Sequence, residues 1–148
     1  MRNKLLKSIF SGLVFSLSML SLSAQAIIIN DFTGDYDVSN WVIDNSQSGS
    51  VDTSLSPLSV SLIEPDNGGM YTEVTFLTQA LSDLTVTFDW TYDTSFDACC
   101  SSISFHGASG GPVTVANGGD FAGGTGTGTL SFAVASGALF GWGNNSED

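Results

Sequence analysis

The chain has 148 residues, with 15 Asp and Glu against three Lys and Arg and a formal net charge of −12. The three cations, Arg2, Lys4 and Lys7, all lie at the extreme start of the chain. Beyond them no Lys or Arg exists to neutralise phosphate. That excludes nucleic-acid binding by counterion release, adhesion to anionic lipid, and nucleotide chemistry that needs a phosphate-binding Lys or an arginine finger.

The cations belong to a leader. Residues 1–7 form a positive n-region, Ile9 to Leu22 an apolar h-region, and Ala24-Gln25-Ala26 a small-x-small cleavage site. This is the pattern of a secretory signal peptide over 1–26. The apolar run is shorter than the roughly 18 residues that a membrane-spanning helix needs, and no second one follows, so no membrane span is expected. Cleavage after Ala26 leaves one domain, 27–148, that carries all the acidic residues and starts at Ile27.

Within that domain no stretch repeats apolar residues at helical spacing. In chain order, short strands are expected at Trp41–Ile43, at Leu58, Val60 and Leu62 between serines, and at Val74 and Phe76 between Glu73 and Thr75. The clearest run is Leu84, Val86, Phe88, Trp90 and Tyr92, alternating with Thr85, Thr87, Asp89 and Thr91. Period two means a strand with one buried and one wet face. Ile103–Phe105, Val113–Val115, the alternation of Leu130, Phe132 and Val134, and Leu139–Trp142 complete the series. Turn chemistry separates them at Pro65 to Gly69, Gly107 to Pro112 and Asn117 to Asp120. The low-complexity run Gly123 to Thr129 reads as a flexible loop leading into the Leu130 strand. Eight to ten short strands at this spacing predict an all-β fold, an antiparallel β-sandwich of jelly-roll type.

Several segments carry a resemblance. Phe32-Thr33-Gly34-Asp35-Tyr36 with Asn40-Trp41 opens the domain. Ser50-Val51-Asp52-Thr53, Ser59 to Leu62, the Asp66 to Gly69 turn before Tyr71-Thr72, Val86 to Tyr92 and Phe140-Gly141 follow. Together, over most of 30–142, they resemble the secreted bacterial β-sandwich modules of PEP-CTERM (exosortase-sorted) proteins and related surface proteins. The resemblance implies a secreted or cell-surface sandwich and brings no catalytic residues with it. Members of that family continue into one more strand, and those with a sorting tag into Pro-Glu-Pro, an apolar segment and a basic end. Here Asn144 to Asp148 reads as a loop-like end. The expectation is a domain that lacks its final strand and leaves a sheet edge open.

Four groups of residues are candidates for chemistry. Adjacent Cys99 and Cys100 could close a strained vicinal bridge, pair elsewhere or stay free, because neighbouring Cα atoms lie about 3.8 Å apart and ordinary disulfides want roughly 4.4–6.8 Å. With His106 they make an awkward zinc set. Gly107-Ala108-Ser109-Gly110-Gly111 matches G-x-S-x-G, but a nucleophile elbow needs a helix after it, and Pro112 with a β-like run follows. The acids supply oxygens for calcium, in two clusters: Asp31, Asp35 and Asp37, and Asp89, Asp93 and Asp97. Neither matches an EF-hand. Trp142, flanked by glycines, and Tyr36, near a turn, are candidate ligand contacts, whereas Trp90 and Trp41 read as core.

The function expected from these readings is a non-catalytic structural or interaction module, secreted or at the cell surface, meeting extracellular polysaccharide or other surface proteins. A calcium-assisted glycan-binding sandwich is the first alternative, and a secreted esterase or glycosidase the second.

Overall fold

Alternation becomes strand wherever it is long enough to pay one face into a core. In a computed structural model, which describes residues 31–45, 49–63, 72–93, 101–118 and 125–146, nine strands follow two short 3-10 turns at Gly34–Tyr36 and Val38–Asn40. They are β1 (Val42–Asp44), β2 (Ser50–Asp52), β3 (Ser61–Ile63), β4 (Thr72–Gln79), β5 (Leu84–Asp93), β6 (Ser101–His106), β7 (Val113–Asn117), β8 (Thr125–Val134) and β9 (Leu139–Ser146). All their pairings are antiparallel. Five strands form one sheet in the order β1-β4-β9-β6-β7, and β5-β8 and β2-β3 form two-stranded sheets packed against it. The protein is an all-β antiparallel sandwich, as its alternation predicts. Among the described residues no helix is long and apolar enough to cross a membrane. Residues 1–26, which are expected to form the leader, Asp97, Cys99 and Cys100, and residues 65–69, where a turn is expected, lie outside the described residues.

The core is a row of rings. Phe76 of β4 pairs with Trp142 of β9, and Trp142 in turn with Phe105 of β6, so three large side chains lie abreast on one face of the sheet. Phe76, Phe105 and Val74 are fully buried. Phe105 stacks on Phe132 of β8 at 4.6 Å between ring centroids and on Phe88 of β5 at 5.6 Å, which joins the layers. Tyr92 of β5 donates its hydroxyl to Ser101 Oγ of β6, a buried 2.6 Å bond across the same interface. On the outer face of β5 and β8, Thr85, Thr87, Asp89 and Thr91 lie beside Ala133, Ser131, Thr129 and Thr127. That face is hydroxyl-rich and wet, as period two requires.

Three expectations need correction. From Thr125 onward the Gly-Thr run is strand, because β8 begins there and pairs with β5 over ten positions. Its threonines point outward and its glycines inward, where Gly128 lies opposite Trp90; a Cβ there would sit 2.9 Å from three indole atoms. The Asn144–Ser146 segment is also strand. It closes β9, which β4 and β6 flank on both sides, and Asn144 is buried with its amide donating to the Leu62 carbonyl. The serine-alternating strand is shorter than its pattern. Turn bonds from Ser56 to Thr53 and Leu58 to Leu55 occupy the backbone there, and Leu58 is left 77% exposed. One strand, β2, had no visible pattern, since three residues with a single apolar Val51 cannot display a period.

Two substitutions test this packing. Phe105→Ala should cost about 3–5 kcal/mol, because both layers lose their shared ring and a cavity remains. Gly128→Val should destabilise comparably by forcing the Trp90 indole off its seat. Urea denaturation at neutral pH reads both, and a Gly128→Val midpoint equal to wild type would contradict the register of β5 with β8.

Candidate functional site

Two features of the sandwich offer surface for chemistry. The first is a groove of about 710 Å³ between the layers. Leu84 to Thr91 of β5 line one wall without a gap, and Leu58 to Leu62 line the other. A strand seen face-on contributes every second residue. Contribution of every residue means that the groove runs along the edge of β5, beside its backbone. Ile103, Phe140 and Trp142 also line it, together with Phe32, Tyr36 and Trp41. The groove is therefore apolar in its aromatic lining and acidic at Asp31 and Asp89.

The aromatic lining is already committed to itself. Trp41 stacks on Phe76 at 4.6 Å and on Trp142 at 5.5 Å. Its Nε1 donates to the Tyr36 carbonyl at 2.9 Å. Trp142 lies face to face with Trp41 and meets Phe32 and Phe88 edge-on. The glycines beside it have the opposite meaning to that read from the sequence. They lie on alternate positions of a strand, so Trp142 faces inward between them. Tyr36 is 6% exposed, and its hydroxyl accepts from the Leu81 amide while its ring packs edge-on against Phe140.

The second feature lies on the outer face of the five-stranded sheet. Glu73 of β4 and Ser104 and His106 of β6 lean over Gly143 of β9, which lies between their strands. His106 Nε2 is 3.2 Å from Glu73 Oε1 and 3.1 Å from Ser104 Oγ. Both partners meet the same nitrogen. A hydrolytic triad instead needs the nucleophile on one ring nitrogen and the acid on the other. The cluster is an arrangement that sequence reading missed, since Glu73 lies 33 residues before His106 and the glycine at 143, distant from both, makes room for them.

The Gly107 to Gly111 segment is the connection of an antiparallel pair. It joins β6 to β7, and Gly107, Gly110 and Gly111 all take positive φ. Ser109 is exposed at its tip, and a strand follows where a nucleophile elbow requires a helix. At Gly107 a Cβ would come within 2.6 Å of the Phe140 Cβ, so this glycine is fixed by the close approach of β9.

The acidic candidates take separate duties. Asp31 lines the groove, and Asp35 sits in the first 3-10 turn with its carbonyl accepting from the Asn40 amide. Asp37 caps the second turn, where its Oδ1 accepts from Ser39 N at 2.9 Å. Asp89 Oδ1 accepts from Thr129 Oγ1 on the neighbouring strand. Asp93 ends β5. Four residues of strand separate Asp89 and Asp93 by roughly 13 Å, beyond reach of one ion. A spacing of four gathers side chains on a helix, but not here. Among the described residues no three His, Cys, Asp or Glu side chains form a metal-holding group.

The backbone bonds to Asp37 from Ser39, and to Asp52 from Ser54, hold both carboxyls below the ordinary 3.8. A folded-state value below the unfolded one adds stability above about pH 3.8, and that stability is lost as pH falls through the folded value. Carboxyl titration followed by NMR should place Asp37 and Asp52 below the ordinary value. Asp37→Asn should flatten the acid limb of the stability profile, and an unchanged limb would remove the cap from the account. Neither a family model, nor a curated protein, nor a solved structure matches the chain.

Proposed function

We propose that the chain is a non-catalytic interaction module, secreted by a bacterium or carried on its surface. The observation that supports this reading is the groove along β5, a slot of mixed polarity with aromatic side chains in its lining, bordered by backbone and by carboxylates. Such a slot suits shape-complementary contact with another macromolecule. The leader over 1–26 supports export, and the resemblance to PEP-CTERM-type modules points the same way. An acidic, hydroxyl-rich exterior without Lys or Arg beyond position 7 keeps such a domain soluble outside the cell.

Expression of the full chain in a bacterial host, followed by N-terminal sequencing of the exported product, tests the export half. The expected product begins at Ile27. Material retained in the cytoplasm with Met1 intact would overturn export. Assay of that product against p-nitrophenyl esters and glycosides tests the other half, and the expected rate equals background. Ester hydrolysis abolished by Ser109→Ala or His106→Ala, or any glycoside hydrolysis above background, would replace the module with an enzyme.

A further inference from the structure

We propose that the groove is a strand-addition site, in which an extended peptide of another protein, alternating apolar and basic residues, pairs with the edge of β5 over Leu84–Asp89. The proposal rests on the reading of the protein as an interaction module and names the chemistry of its partner.

The backbone supplies the pairing. In an antiparallel pair, every second residue of a strand directs its N–H and C=O away from its neighbour. β8 is the ladder partner of β5 among the described residues, so those groups on its other edge face the groove. Six residues of strand offer about 20 Å of this edge. An extended peptide laid there would gain main-chain hydrogen bonds for affinity and side-chain pockets for specificity.

The two faces of an added strand meet different chemistry. Alternate side chains on its inner face would turn toward Phe88, Ile103 and Trp142, which favours aliphatic residues. Those on its outer face would continue the surface that carries Thr85, Thr87 and Asp89. Asp31 and Asp89 line the groove, and no Lys or Arg stands anywhere beyond position 7 to offset them. Lysine or arginine on the outer face of the peptide is the complement of that charge, and the 15 acidic residues, all beyond position 26 where no Lys or Arg stands, would steer its approach.

The test uses the exported full domain and a capped heptapeptide alternating lysine and valine. The controls are the same composition scrambled to break the alternation, and the glutamate–valine counterpart. Amide hydrogen exchange and calorimetry read the outcome. The lysine–valine peptide should slow exchange of β5 edge amides at least tenfold at saturation, and added salt should weaken it. The scrambled and acidic peptides should bind at least tenfold less tightly. Asp89→Asn keeps the oxygen that accepts from Thr129 and removes the charge, so it should weaken binding about two- to five-fold, the scale of one exposed ion pair, with an unchanged melting temperature.

Equal binding of alternating and scrambled peptides would overturn the proposal in favour of plain electrostatic adhesion. Protection of the β5 edge in the free protein would also overturn it. If that protection is independent of concentration, the edge is covered within the chain; if it grows with concentration, a second copy covers it. None of these results bears on export or on the hydrolysis assays, so the proposal can fail while the module reading stands.

Discussion

Phe105 holds the sandwich together. It is the ring that both layers share, stacked on Phe132 and Phe88 from one sheet and set beside Trp142 in the other. Each such ring pair adds about 0.5–1.5 kcal/mol beyond the area it buries. The remaining geometry follows from this fixed point. Trp142 beside it brings in Trp41 and Phe76 by stacking, and Trp41 in turn binds the carbonyl of Tyr36. The N-terminal 3-10 turns, which have no ladder of their own, are thereby clamped to the central strand.

The fold was legible where alternation ran over enough residues. Leu84 to Tyr92 showed its inward set in full, and so did Leu130 to Val134. Legibility failed in two physically distinct ways. At Ser50–Asp52 the strand is too short to have a period. At Thr125–Thr129 the period is present but written in glycine and threonine, and glycine on the inner face looks like flexibility until the opposing tryptophan is known. The same blindness affected the ends of the chain's pattern: Asn144 and Asn145 resemble a loop, yet sit in the strand with partners on both sides.

Sites were less legible than strands. The carboxylates at 89 and 93 were grouped by a spacing that has meaning on a helix and little on a strand. The Glu73–His106–Ser104 contact needs three strands brought into register and a glycine beneath them, information that no local window holds. The groove depends on an absence of pairing along one edge of β5 among the described residues, which is a property of topology and not of residue type. Edges of this kind usually carry charge, and Asp89 supplies it here. The same carboxylate that discourages indiscriminate pairing of two acidic copies would favour a basic strand.

The fit of Gly128 beneath Trp90 has a consequence for how this protein can change over time. The two positions lie on different strands and meet in one volume, so neither is free to drift alone. A larger residue at 128 is tolerable only after the indole at 90 has been exchanged for something smaller, and a smaller residue at 90 leaves a void until 128 grows. Descendants of this sequence should therefore be recognisable by joint replacement at 90 and 128, and a lineage that kept the tryptophan should have kept the glycine.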